Sequence, residues 1–159
     1  MSVIQSSDIR IVIDTREQLP FDFEGLPPDI YMPSEVRTLH TGDYSAVGYE
    51  DKIAVERKSL TDLLGCIGNG RDRFQRELER MMDFQFRCVV VEDSWQHFVK
   101  PEGGGYDRCT IAPNTCENTI ISWESRYGVN FKFCGTRQNA MKYTARYIFH
   151  TIKHEEELI

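Results

Sequence analysis

The spacing of apolar residues changes along the chain, and each change marks an element. Residues 9–14, IRIVID, are a short β-branched run and predict a buried strand. Residues 15–29, TREQLPFDFEGLPPD, hold three prolines and a glycine and predict a loop. A short strand is expected over 36–40, ahead of Gly42-Asp43-Tyr44. Residues 45–48 continue as strand, 49–52 make a polar turn, and 53–57 return, so 43–57 reads as a hairpin. Ser59 has the character of an N-cap, and Leu60, Leu63, Leu64 and Ile67 follow at helical spacing. Gly68-Asn69-Gly70 breaks that helix. A second runs over about 71–82, with Phe74, Leu78, Met81 and Met82 on its apolar side. Residues 86–92, FRCVVVE, predict another buried strand. A loop over 99–114, a short helix over 115–124, a strand over 129–134 and a terminal helix from 135 to about 154 complete the chain. This order predicts an α/β domain with a mixed sheet. The terminal helix carries a broad stripe that includes Ala140, Tyr143, Tyr147 and Ile148, which fits either a core or a partner surface.

Composition narrows the class. With 159 residues, 40% hydrophobic and 28% charged, the chain reads as one soluble globular domain spanning 1–159. No apolar run approaches the ~18 residues of a membrane span, so no membrane partner is expected. The N-terminus lacks the basic and apolar regions of a secretory signal. Five cysteines without a close pair predict reduced thiols and an intracellular location, cytoplasm or nucleus. Cys109, Cys116 and His97 form a weak metal candidate. The formal net charge of −6 argues against a plain nucleic-acid binder, yet leaves room for a nuclease whose metal supplies local positive charge.

The chemistry-bearing residues cluster at predicted strand ends. A strand period of two places Glu56 and Lys58 on one face and Arg57 on the other. Asp43 lies on the opposite arm of the hairpin, with twelve residues between it and Glu56, and Asp14 ends the first strand. Two carboxylates with retained waters and a phosphate oxygen suit Mg²⁺, which takes oxygen ligands at about 2.0–2.1 Å. A metal so held activates water, and a nearby lysine steadies charge on phosphate oxygens. Spacing alone leaves this reading and a merely solvated strand edge both open.

Four motifs in fixed order change the balance: IVIDTRE (11–17), GDY (42–44), VERKSLTDLL (55–64) and GNGRDRFQRELERM (68–81). Together they resemble the nuclease domain of the XPF family of structure-specific endonucleases, with its GDxnERKxxxD hallmark. The resemblance implies a restriction-endonuclease-like three-layer fold, a central mixed β-sheet flanked by helices. It implies Mg²⁺-dependent cleavage of branched DNA, flaps and forks, with Mn²⁺ as substitute. A four-way (Holliday) junction resolvase and a non-catalytic branched-DNA-binding module are the alternatives. By motif position, Asp43, Glu56 and Lys58 are catalytic, and Asp43, Glu56 and Asp14 face the metal. Arg57, Asp62, Arg16 and Glu17 support the site, Arg57 by turning to the core side and pairing with an acid. Arg71, Arg73, Gln75 and Arg76 are candidate DNA contacts, and the same helix face also reads as solvated. Roles in DNA repair or recombination follow from the resemblance.

Cellular members of that family usually add a tandem helix-hairpin-helix domain, for which this sequence has no room. The expectation is therefore a stand-alone domain, as in a virus or phage, or one cut from a longer chain. A homodimer, or a separate DNA-gripping or replication and recombination partner, would supply the missing grip.

Overall fold

A computed structural model describes residues 3–100 and 111–157. Six strands form one sheet: β1 (Ile11–Asp14), β2 (Ser34–Arg37), β3 (Tyr44–Ala46), β4 (Ile53–Lys58), β5 (Phe86–Val91) and β6 (Asn130–Phe133). Their spatial order is β2-β1-β3-β4-β5-β6. β3 runs antiparallel to β1 and β4; the β1–β2, β4–β5 and β5–β6 pairs are parallel. The sheet is mixed, as the element order predicts.

The pleat of β4 and β5 divides the core into two layers. Ile53, Val55, Cys88 and Val90 face one cluster, completed by α5 (Arg137–Glu157) through Ala140, Ala145, Ile148 and Ile152. Ala54, Val89 and Val91 face the other, built from α1 (Leu60–Ile67), α2 (Arg71–Met81) and α4 (Pro113–Tyr127). Helices on both faces of a central sheet give the expected three layers. The chain is an α/β protein built on one six-stranded mixed sheet.

Local chemistry explains the elements beside the site. Ser59 caps α1, its hydroxyl accepting from the Asp62 amide at 3.1 Å. The Gly68-Asn69-Gly70 break lets α2 start at once, and Phe74, Leu78 and Met81 pin it to the second layer. Gly42 sits at φ +84°, and a Cβ there would meet the Val55 carbonyl oxygen at 3.2 Å. Glycine therefore lets the chain turn tightly against β4 immediately before Asp43.

Four expectations change. The segment over 15–29 is a largely exposed loop, as predicted, but it carries a 3-10 turn at Phe23–Gly25 and sends three side chains into the core. Phe21, Phe23 and Leu26 are buried there, with Phe21 stacked on Tyr44 at 5.1 Å. The strand expected at 36–40 is displaced to 34–37, because its register follows pairing with β1 rather than its own weak apolar pattern. A five-residue helix, α3 (Trp95–Val99), follows a Ser94 cap whose hydroxyl accepts from the His97 amide at 3.0 Å. The helix expected over 115–124 begins earlier, with Pro113 in its first turn, and ends at Tyr127 before left-handed Gly128.

The aromatic stripe of α5 packs inward: Tyr143 and Tyr147 are half-buried against the first layer. Among the described residues no helix is long and apolar enough to cross a membrane. Of the weak metal candidate, Cys109 lies outside the described residues, and His97 Nδ1 sits 3.0 Å from Asp93 Oδ1.

Candidate active site

Backbone pairing brings the predicted acids together. The Asp14 amide donates to the Asp43 carbonyl at 2.8 Å, and the Asp43 amide donates to the Val55 carbonyl at 2.8 Å. The ends of β1, β3 and β4 are thus laced side by side. The Arg57 amide then donates to Asp43 Oδ2 at 2.8 Å, fixing that carboxylate against β4. Glu56, 6% exposed, follows on β4, and the Asp43 charge bears on it. Burial raises the pKa of both above the ordinary carboxylate value. For Glu56, the Asp43 charge and contact with Glu77 add to that rise.

Lys58 completes the face. Its Nζ lies 3.6 Å from Glu56 Oε1 and 5.1 Å from the centre of the Phe74 ring. Burial alone would lower its pKa, but Glu56, Cys66, Glu77 and Asp43 outweigh it and hold the ammonium charged. In front of it, α1, α2 and the end of β4 enclose a cleft of about 340 Å³. Asp62, Cys66, Arg73, Phe74 and Glu77 line that cleft with Lys58.

Asp14 is near but differently occupied. It accepts from Arg16 Nε at 2.8 Å and from the Leu39 amide at 2.8 Å. Burial would raise its pKa; these bonds, with the Arg16 amide, outweigh burial and lower it. Arg16 in turn donates to the Leu39 carbonyl at 2.6 Å and feels the charges of Asp43 and Glu77 from the rim.

Arg57 points to the opposite layer, where it pairs with acids. Its Nε and Nη2 reach the two Glu17 oxygens at 2.8 and 2.7 Å, and its Nη1 reaches Glu92 at 2.6 Å. Glu92 also accepts from Arg137 at 2.9 Å, and Arg137 donates to the Leu19 carbonyl at 2.7 Å. This network straps the segment after β1 onto the sheet.

The helix candidates separate. Arg73 lines the cleft, Arg76 is exposed, and Gln75 is half-buried. Arg71 turns away: its Nη1 donates to the Ile67 carbonyl at 3.1 Å, and its guanidinium lies 5.3 Å from the Trp123 ring centre. It braces α1, α2 and α4 instead of facing the cleft. Glu77 is the site acid that sequence reading passes over. Its signal is helical spacing, four residues after Arg73 and three after Phe74.

The carboxylates suit a divalent cation. Among the described residues, no N–H or hydroxyl donates a hydrogen bond to the buried Glu56 carboxylate; its cationic neighbour is Lys58. Hard oxygen donors left short of positive charge match Mg²⁺ chemistry. Among the described residues no three His, Cys, Asp or Glu side chains already form a metal shell. Mg²⁺ does not require one, because it retains several waters.

Comparison with known proteins gives the family and the fold. The ERCC4 domain pattern matches residues 13–147, which contain every acid named above. The chain belongs to the ERCC4 domain family. This is the nuclease-domain family of XPF. Among solved structures, XPF from Aeropyrum pernix matches with a TM-score of 0.66 and 17% identity, over 94% of this chain and 68% of that one. XPF from Aeropyrum pernix in complex with DNA matches with a TM-score of 0.60 and 18% identity, over 94% of this chain and 66% of that one. The chain thus spans about two thirds of these proteins, and at such identity the likeness is one of fold. No curated protein sequence matches.

Proposed function

We propose that this ERCC4 domain is a Mg²⁺-dependent endonuclease that hydrolyses DNA phosphodiester bonds at branched structures, with flaps and forks as its substrates. The observation that carries the reading is the grouping of Asp43, Glu56 and Lys58 at the paired ends of β3 and β4, on the motif positions of a nuclease family. Nucleases of this family are generally divalent-metal dependent. Asp43 and Glu56 would hold the cation, with Asp14 beside them, and the cation would acidify water and polarise the phosphate. Asp43 is oriented by the Arg57 amide. Lys58 places a permanent positive charge where charge builds on the phosphate oxygens. In-line attack by water would leave a 5′-phosphate and a 3′-hydroxyl.

Cleavage of a labelled panel tests the reading: duplex, single strand, both flaps, fork and four-way junction, each with Mg²⁺, Mn²⁺ or EDTA. Metal-dependent cutting of flaps and forks is expected. Cutting confined to four-way junctions would make the protein a resolvase. Binding of branched DNA without cutting, by folded protein with metal, would make it a non-catalytic module.

Two variants probe the division of labour. Lys58→Met should lower kcat by roughly 100-fold while changing DNA affinity little, because its charge acts mainly on the transition state. An affinity loss with unchanged kcat would reassign Lys58 to binding. Arg73→Ala and Arg76→Ala should each weaken binding to all DNA structures alike. Each should also reduce the salt slope by about one. An unchanged slope would return both to a solvated face.

The reading includes an intracellular location and a further source of DNA grip, from a homodimer or a separate repair, replication or recombination partner. Sedimentation of the protein with and without branched DNA measures the homodimer directly.

A further inference from the structure

The Asp14 carboxylate is fully engaged by protein donors. Its Oδ1 accepts from the Leu39 amide at 2.8 Å and from Arg16 Nη2 at 3.3 Å. Its Oδ2 accepts from Arg16 Nε at 2.8 Å and from the Arg16 amide at 3.2 Å. A carboxylate offers about four lone-pair sites, and these donors fill them. A cation placed on either oxygen would have to displace one of these bonds and sit against the guanidinium charge.

The same bonds fix Arg16. Its Nη2 also donates to the Leu39 carbonyl at 2.6 Å, so the guanidinium is held by the end of β1 and by the loop after β2. Asp14 is 3% exposed, whereas the Arg16 side chain is 66% exposed. Among the described residues Arg16 Nη1 donates no hydrogen bond. The Asp14 amide donates to the Asp43 carbonyl, so this arginine stands one strand away from the site acids. Arg57, by contrast, turns Nε, Nη1 and Nη2 to Glu17 and Glu92 and is 10% exposed. A planar, permanently charged fork with one open nitrogen suits a phosphate oxygen, and fixing it beforehand reduces the freedom lost on binding.

We infer that Arg16 is a DNA phosphate contact at the rim of the site, and that Asp14 is the positioning residue that holds it and not a ligand of the cation. This rests on the DNA-cleaving reading above and moves Asp14 from the cation to the arginine.

Fluorescence anisotropy of a labelled DNA fork with the full chain in EDTA, over a series of salt concentrations, tests it without cleavage. Arg16→Gln keeps a donor for Asp14 and removes the charge. It should bind about fivefold or more weakly, with a slope of log affinity against log salt shallower by about 0.9. An unchanged slope would overturn the inference, whatever the affinity. A purely structural ion pair would lower the melting temperature and leave the slope alone, so a thermal melt accompanies each variant. The double variant Asp14→Asn with Arg16→Gln removes one charge of each sign. Its Mn²⁺ affinity, read by electron paramagnetic resonance, should stay within about twofold of the parent, and a loss of about tenfold or more would make Asp14 a ligand and overturn its assigned role. The double variant also carries the salt series should Arg16→Gln melt early, because it leaves no buried charge without its partner. Two controls separate the readings. A parent that binds no fork DNA fails the DNA reading and this inference together. If Glu56→Gln keeps parental Mn²⁺ affinity, the metal reading fails alone, and the slope still decides Arg16.

Discussion

Glu56→Gln protein should cut no DNA and yet, in EDTA, melt at a higher temperature than the parent. The first effect follows from removing a carboxylate that faces the cation; a loss of roughly a thousandfold or more in rate is expected. The second follows from electrostatics in the metal-free protein. Burial, then Asp43, then Glu77 raise the Glu56 pKa above its ordinary 4.5. A carboxyl with a raised folded-state pKa is ionised at a cost in the folded protein at neutral pH. The neutral amide removes that cost, so the melting temperature rises. Protonation does the same for the parent, so its metal-free stability gains from this group as pH falls through the raised pKa. Added Mn²⁺ should then stabilise the parent and leave the variant unmoved. Scanning calorimetry at pH 7 decides the matter, and a variant that melts lower than the parent in EDTA sinks the account.

Arg57→Ala should have the largest effect on stability, a loss of about 3–5 kcal/mol. Removing the arginine leaves Glu17, 4% exposed, and Glu92, 9% exposed, without their guanidinium fork. Arg57→Lys should recover little, since an ammonium cannot make the bidentate bond to Glu17 and also reach Glu92. The pH dependence has a definite sign. Burial would raise the Glu17 pKa, but the Arg57 hydrogen bond and charge outweigh it and lower the pKa below its ordinary 4.5. Its contribution is complete above pH 4.5 and disappears as pH falls through the lower folded value. Parent and variant stabilities should therefore converge toward acid. Urea denaturation at pH 7 and at successively lower pH measures this, and a gap that stays constant would remove the pair as its source.

These two residues also show what the sequence reveals. Alternation along IAVERK separates Glu56 and Lys58 from Arg57, and the structure keeps that separation because β4 lies between two apolar layers. The hairpin that brings Asp43 to Glu56 is legible for the same reason. What escapes is set by contacts between distant elements. Arg71 and Arg73 look alike in a basic helix, and only packing against Trp123 turns the first away from the cleft. Glu77 is one acid among several until the rotation of α2 is known. The phenylalanines after β1 read as loop because their partner, Tyr44, lies on another strand. Short α3 carries too few turns for a helical period to show.

The two-layer pleat also limits which length changes a lineage can accumulate here. One residue gained inside β4 would exchange the occupants of its faces, sending an arginine to the cleft and an acid among the aliphatic side chains of the other layer. Between Asp43 and Glu56, by contrast, the chain doubles back through a tip where Gly48 meets nothing within 4 Å. Insertions at that tip leave both strand ends where they are. The gap between the two acids is therefore free to drift, while the single residue between Glu56 and Lys58 is not.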